Sequence, residues 1–101
     1  MGGVFMAYEA SKEKRTEYGE IVAKDGEKPE YIKVAKVEYG KGAPKMDIRL
    51  WFTAEDGKVC ATQKGVRFST EFTVEIVKML INSLERNEAE ELLNIFKMSG
   101  D

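Results

Sequence analysis

The clearest pattern in the chain is a strict alternation of apolar and polar side chains between Pro44 and Thr53. One side of this segment carries Met46, Ile48, Leu50 and Phe52. The other side carries Lys45, Asp47, Arg49 and Trp51. Because side chains alternate with a period of two in a strand, the pattern predicts a strand with one dry face. The opposite face combines two cations with the only tryptophan of the chain.

Three further segments are rich in β-branched and aromatic residues and are separated by turn residues, which predicts three more strands. They are Thr16–Lys24, Tyr31–Tyr39 and Lys58–Phe68. Asp25-Gly26 and Asp56-Gly57 are typical of tight turns, because glycine readily adopts a positive φ. The apolar pattern changes phase within Tyr31–Tyr39, which predicts a bulge near Ala35-Lys36.

After Phe68 the period becomes helical. Ser69 is predicted to cap a helix, here called the 70–85 helix, and Asn87 to cap a second one, with Glu90 placed as in a capping box. The first helix has a wide apolar stripe of Phe72, Val74, Ile76, Val77, Leu80, Ile81 and Leu84. The second has Ala89, Leu92, Leu93 and Phe96, and Gly100 lies past its end. So wide a stripe on a short chain is compatible with a homodimer seam, a partner helix or burial within the monomer.

The order of elements predicts an α+β fold in which a four-stranded antiparallel sheet precedes one long helix and a short C-terminal helix. We expect an N-terminal tail over 1–15, a ββββα domain over 16–86 and a helical extension over 87–101. The basic run Lys12–Arg15 in the tail could contact phosphate, although a solvated terminus is the favoured interpretation.

Composition narrows the possible functions. With 101 residues, of which 43% are hydrophobic and 34% charged, the chain fits one globular domain. No apolar run is long enough to span a membrane, and the first residues are too weakly apolar for a signal peptide, so we expect an intracellular protein, in the cytoplasm or nucleoid if prokaryotic. Cys60 is the only cysteine, which excludes an internal disulfide.

Catalysis is not expected. The chain has no histidine, and it has neither a Gly-rich phosphate loop nor a recognisable cluster of carboxylates. The commonest general base and the commonest metal ligand are therefore missing. We expect no enzyme activity, no cofactor and no metal site.

The net charge of −2 hides an uneven distribution of charge. Residues 31–67 contain eight basic and four acidic residues, a net charge of +4, whereas residues 68–101 contain three basic and seven acidic ones, a net charge of −4. A basic segment with an exposed aromatic side chain suits a single-stranded nucleic acid. The candidate contacts are Lys33, Lys36, Lys45, Arg49, Trp51, Lys64 and Arg67.

Two of these candidates have a competing structural interpretation. Trp51 could stack on bases or could simply pack on the sheet. Arg49 could contact phosphate or could pair with Asp47 or with an acid on a neighbouring strand. Each lysine considered alone is more readily explained as a solvated side chain, so the clustering of the basic residues carries the hypothesis.

Three motifs resemble the positive cofactor 4 family of transcriptional coactivators, in particular its bacterial and phage members. Asp47-Ile48-Arg49 followed by Trp51 is similar to the family's "DIR…W" strand. Lys64-Gly65-Val66 with Phe68-Ser69 is similar to its passage into the helix, and Lys36–Tyr39 with Pro44-Lys45 resembles its preceding hairpin. The resemblance covers about residues 17–85.

The resemblance implies a curved sheet and a homodimer whose helices pack near the two-fold axis. It also implies binding of single-stranded DNA with little sequence preference, through Arg49, Trp51 and Lys64 with Lys36 and Lys45. By position, Phe52 could share the stacking role of Trp51. We assign the dimer interface to Ile76, Val77, Leu80 and Leu84. The family's serine-rich regulatory N-terminus has no counterpart here, and 87–101 extends beyond the usual helix.

Three classes of function follow from the sequence. The first is a single-stranded DNA-binding homodimer, with RNA as an alternative ligand, acting as a transcription cofactor or a helper in replication or repair. The second is a scaffolding dimer whose C-terminal helices bind transcription, replication or other proteins. The third, an enzyme using carboxylate chemistry, is the least expected of the three.

Overall fold

The computed structural model describes residues 13–99, apart from the side chains of Phe96, Met98 and Ser99. The expectations for residues 1–12 and for Gly100 lie outside the described residues, as does that for the side chain of Phe96. The strands are β1 (Glu13–Lys24), β2 (Glu30–Tyr39), β3 (Lys45–Thr53) and β4 (Val59–Ser69). A 3-10 turn (Thr70–Phe72) precedes the helices α1 (Thr73–Asn82) and α2 (Arg86–Ser99).

The four strands form one antiparallel sheet in the order β1-β2-β3-β4, so the predicted α+β class and the sheet are confirmed. Each pair of neighbouring strands is joined by a turn that contains a glycine with positive φ: Gly26, Gly40 or Gly57. Strand β1 begins at Glu13, three residues before the predicted start, and so takes in Arg15.

The predicted bulge near Ala35-Lys36 is wrong, because β2 pairs with β3 without interruption from Glu30 to Val37. The irregularities lie instead in the outer strands. The β1–β2 register shifts between Glu17 and Gly19 and again between Val22 and Lys24. The β3–β4 register shifts opposite the Arg49–Trp51 segment. The apparent phase change in β2 reflects a strand with apolar side chains on both faces.

We call the two faces of the sheet the charged face and the apolar face. The charged face carries Glu13, Arg15, Glu17, Glu20, Lys33, Ala35, Val37, Lys45, Asp47, Arg49, Trp51 and Arg67. The apolar face carries Ile21, Ile32, Val34, Met46, Ile48, Leu50, Phe52, Val66 and Phe68. The alternation in β3 places every one of its residues on the face that the sequence predicted.

The buried residues of the sheet lie on the charged face and not on the apolar face. Among the described residues, the buried ones are Ala35, Val37 and Asp47, and all three lie on the charged face. Several side chains of the apolar face remain exposed, including Val66 at 57%. The long side chains of the charged face therefore lie over a small core, since the apolar stems of Arg and Lys cover surface while their charged ends stay in contact with water.

The helices differ from the prediction in their bounds. Ser69 belongs to β4 and does not cap a helix, and Phe72 precedes α1 without a side-chain hydrogen bond. The second helix has 14 residues and is longer than α1, which has 10. It begins at Arg86 and not after Asn87, and the Glu85 backbone N–H donates to the Glu88 carboxylate at 2.9 Å, so Glu88 makes the bond predicted for Glu90.

The chain divides into two compact units, the sheet up to Thr70 and the helices from Glu71. The predicted boundary between 86 and 87 lies within the second unit and stays a prediction. Within the described part of the chain, no helix combines the length and the apolar character needed to cross a bilayer.

Candidate nucleic-acid interface

Asp47 is the centre of the charged face. Its side chain is 0% exposed, and its carboxylate accepts hydrogen bonds from arginines on three strands. Arg49 Nη2 lies 2.9 Å away, Arg67 Nε 3.2 Å and Arg15 Nη1 3.4 Å. Burial alone would raise the pKa of the Asp47 carboxyl, but the hydrogen bonds and charges of Arg49 and Arg67 outweigh it and lower the pKa.

Arg49 is fixed more firmly than the other arginines. Besides its bonds to Asp47, its Nη1 donates to the Thr62 carbonyl at 3.0 Å. The Thr62 hydroxyl in turn donates to the Leu50 carbonyl at 2.8 Å, across the irregular part of the β3–β4 pairing. Arg49 therefore ties β3 to β4 as well as carrying charge, and the Asp47 pairing considered from the sequence is the one observed.

Trp51 is half-buried and is covered by two cations. The Arg15 guanidinium carbon lies 4.8 Å from the centroid of its ring and Lys33 Nζ lies 4.7 Å from it. Both distances are within the range of cation–π attraction. Neither Trp51 Nε1 nor Arg15 Nη2, both buried, has a hydrogen-bond partner within the described part of the chain. The ring thus lies on the predicted face of β3, but a base can stack on it only if one of the cations moves.

Three glutamates of β1 lie at the margin of the charged face. Glu17 contacts both Arg15 Nε, at 3.2 Å, and Lys33 Nζ, at 3.7 Å. Glu20 also lies 3.7 Å from Lys33 Nζ, and Glu13 lies 3.3 Å from Arg67 Nη1. The face therefore has five cations and four carboxylates, with the surplus of positive charge on the β2–β4 side.

The structure brings together five of the seven predicted contact residues, namely Lys33, Lys45, Arg49, Trp51 and Arg67, on the charged face. Lys36 pairs with Met46 and so lies on the opposite face, where its Nζ is 5.9 Å from the ring of Tyr18. Lys64 lies in the irregular part of β4 and lines a hollow of about 400 Å³ with Ile32, Ile48, Arg49, Leu50 and Val66. Lys36 is thus separate from the cluster around Trp51, whereas Lys64 lines this hollow together with Arg49 of the cluster.

The packing of β4 against β3 explains why position 65 is a glycine. A Cβ atom on it would lie 2.5 Å from the Ile48 carbonyl oxygen and 2.8 Å from Arg49 Cα. The close approach at Gly65 is therefore to the backbone of β3.

Arg15 was not among the contact residues predicted from the sequence, because it was assigned to the N-terminal tail. The signal was present as alternation: Glu13, Arg15 and Glu17 continue the period of two into β1. Four charged residues in succession are weak evidence for a strand, and only the pairing of Arg15 with Val37 shows that this segment joins the sheet.

Comparisons with protein-family models, with curated proteins and with solved structures found no match to this chain. The resemblance to the positive cofactor 4 family therefore rests on the motifs given above. Among the described residues, no three His, Cys, Asp or Glu side chains are placed to hold a metal ion together.

Proposed function

We propose that this protein is a non-catalytic homodimer that binds single-stranded DNA through the charged face, with weak sequence preference. The observation that carries the proposal is the placement of Arg15 and Lys33 over the ring of Trp51, beside Arg49 and Arg67, which share the Asp47 carboxylate with Arg15. Once a cation moves off the ring, Trp51 offers a base a stacking surface, and the cations around it offer the phosphates charge-assisted hydrogen bonds.

Weak sequence preference follows from the same chemistry. Every base has a π-face that can stack on Trp51, and phosphates are common to all sequences. Arg49 and Arg67 are held in place by Asp47, so they are already positioned when the strand arrives. The resemblance in sequence further suggests a transcription cofactor or a helper in replication or repair, and RNA is a second possible ligand.

We expect the protein to bind single strands more tightly than duplex of the same sequence, with an affinity that falls steeply as salt increases. Each phosphate neutralised on a single strand contributes about −0.7 to the slope of log K against log salt. Because Trp51 is the only tryptophan, its fluorescence on titration with an oligonucleotide measures the binding directly. Equal affinity for duplex, or an affinity independent of salt, would contradict the proposal.

The homodimer is supported by apolar surface that the single chain leaves exposed on α1. Of the predicted interface residues, Val77 and Leu80 are exposed, whereas Ile76 and Leu84 are half-buried. Val74 and Met79 are also exposed. A ten-residue helix with this much exposed apolar surface is typical of an interaction surface.

We expect Leu80→Asp to convert the dimer to a folded monomer, because Leu80 is 56% exposed in the single chain and a charge there would be buried only in the dimer. Asn82→Asp, which adds the same charge at another exposed position of α1, should leave the dimer intact. Light scattering and circular dichroism on both variants test this. A wild-type protein that is monomeric at micromolar concentration would refute the dimer.

A scaffolding role is the second candidate, and exposed Leu93 and Ile95 on α2 favour it. These side chains could bind another protein whether or not the sheet binds DNA. A stable dimer whose Trp51 fluorescence does not respond to any single-stranded oligonucleotide would favour this function over the first.

A further inference from the structure

Glu17 holds the two cations that cover Trp51. Its carboxylate lies 3.2 Å from Arg15 Nε and 3.7 Å from Lys33 Nζ, and both of these side chains contact the ring of Trp51. Arg15 and Lys33 are largely covered, with 19% and 15% of their side chains exposed, whereas Glu17 is 43% exposed. The anion of this group is thus the member closest to solvent.

The ion pairs of Arg15 and Lys33 are longer than the two shortest bonds of Arg49. Arg49 makes bonds of 2.9 and 3.0 Å to Asp47 and the Thr62 carbonyl. Arg15 lies 3.2 Å from Glu17 and 3.4 Å from Asp47, and within the described part of the chain the ion pairs of Lys33 are those of 3.7 Å to Glu17 and Glu20. The pairs with Glu17 include an exposed carboxylate, and such pairs contribute little to stability, so Arg15 and Lys33 can exchange Glu17 for another anion at small cost.

The backbone at Glu17 favours such an exchange. The β1–β2 register shifts between Glu17 and Gly19, so the regular pairing is interrupted directly after Glu17. Strand β1 is also an edge strand of the sheet. The Glu17 side chain, which is 43% exposed on this edge strand, can therefore turn further into solvent.

We propose that Glu17 is an internal competitor for phosphate: its carboxylate occupies Arg15 and Lys33 in the free protein and is displaced when a phosphate group of a single strand binds to them. The inference rests on the proposed function and adds a regulatory contact to it. Displacement supplies an acceptor to Arg15, whose Nη2 has none within the described part of the chain, and frees the ring of Trp51 for a base.

The test is a gain of affinity in Glu17→Gln, which keeps the shape of the side chain and removes its charge. Glu27→Gln is the matched control. Glu27 is exposed in the β1–β2 turn, so this substitution removes the same charge at a site away from the charged face. We expect Glu17→Gln to bind a labelled oligothymidylate about two- to fivefold more tightly at low salt, and to steepen the salt dependence by roughly one phosphate. Glu27→Gln should stay within about twofold of the wild type.

A second readout uses the free protein. Iodide is an anionic quencher, so freeing Arg15 and Lys33 should increase iodide quenching of Trp51 in Glu17→Gln but not in Glu27→Gln. Equal affinities of the two variants for the oligonucleotide would overturn the role of Glu17 in binding. If neither the wild type nor either variant binds the oligonucleotide, the proposed function is wrong. In that case, stronger iodide quenching in Glu17→Gln alone would still support Glu17 as a competitor for anions. Unchanged quenching would overturn the role of Glu17 as well.

Discussion

Replacing Asp47 with alanine should cost about 3–5 kcal/mol of folding free energy, the usual penalty for removing one partner of a buried ion pair. Without the carboxylate, the guanidinium groups of Arg15, Arg49 and Arg67 remain close together on the sheet with no shared counter-ion. For a chain of this size, we expect the melting temperature to fall by more than about 10 °C. Thermal and urea unfolding of the purified variant measure the loss.

Two comparisons keep this prediction testable if Asp47→Ala fails to fold. Glu55→Ala also removes an acid from an ion pair, that with Lys28, but Glu55 is 89% exposed, so its effect should be small. Asp47→Asn keeps the shape and removes only the charge, and should be destabilised by less than Asp47→Ala. If Asp47→Ala and Glu55→Ala melt alike, the arginine network does not stabilise the sheet.

The pH dependence follows from the lowered pKa of Asp47. A carboxyl whose pKa in the folded state lies below its value of 3.8 in the unfolded chain stabilises the fold above pH 3.8. That stability is lost as the pH falls through the folded-state pKa, because the proton then binds to both states. Wild-type protein should lose this stability in acid, whereas Asp47→Asn, which has no such proton to gain, should already lack it at neutral pH.

The sheet could be predicted from sequence because its signals are local. Alternation in β3 fixed which side chains share a face, and each Asp-Gly pair marked a turn. The antiparallel arrangement followed from the absence of helices between the strands. Alternation does not show how deeply the residues of each face are buried, because burial depends on which long side chains from other strands lie across that face.

The charged face illustrates this limit. Alternation places Arg49 and Trp51 opposite the dry face of β3, which by itself suggests that they lie outside the core. In the structure Arg49 binds Asp47 and the Thr62 carbonyl, and Trp51 is covered by Arg15 from β1. The Asp47 pairing is local and was considered from the sequence, but Thr62 is 13 positions from Arg49 and Arg15 is 36 positions from Trp51, and no local pattern reports these two contacts. Loss of binding in an Arg49 variant must therefore be read together with its stability.

The helical region was predicted by periodicity, but its bounds were set by competing partners. Ser69 is a good N-cap residue, yet it pairs with Lys45 and so extends β4. A 3-10 turn then separates the strand from α1. At the second helix, the backbone of Glu85 uses the carboxylate of Glu88, which moves the start ahead of Asn87. At the start of each helix, the predicted capping interaction is thus replaced by a different interaction of a nearby residue.

Gly65→Ala should destabilise the sheet by about 1–3 kcal/mol or more, although it adds a single methyl group. The new Cβ would lie 2.5 Å from the Ile48 carbonyl oxygen, 2.8 Å from Arg49 Cα and 3.0 Å from Arg49 Cβ. Two of these atoms belong to the backbone of β3 and cannot rotate away, so β4 must move off β3. The movement would also disturb the bond from Arg49 to the Thr62 carbonyl, and we expect weaker binding of single strands together with a lower melting temperature.

Gly19→Ala is the matched control, because it adds the same methyl group to another strand of the same sheet. Gly19 does not have a positive φ, and no atom lies within 4 Å of the position of its Cβ. Alanine there should be neutral or should stabilise the protein by up to about 1 kcal/mol, since it reduces the freedom of the unfolded chain. Parallel urea unfolding of the two variants separates the steric effect from the change in backbone entropy. If both variants unfold at the same urea concentration, the close approach of β4 to β3 is not what requires glycine at position 65.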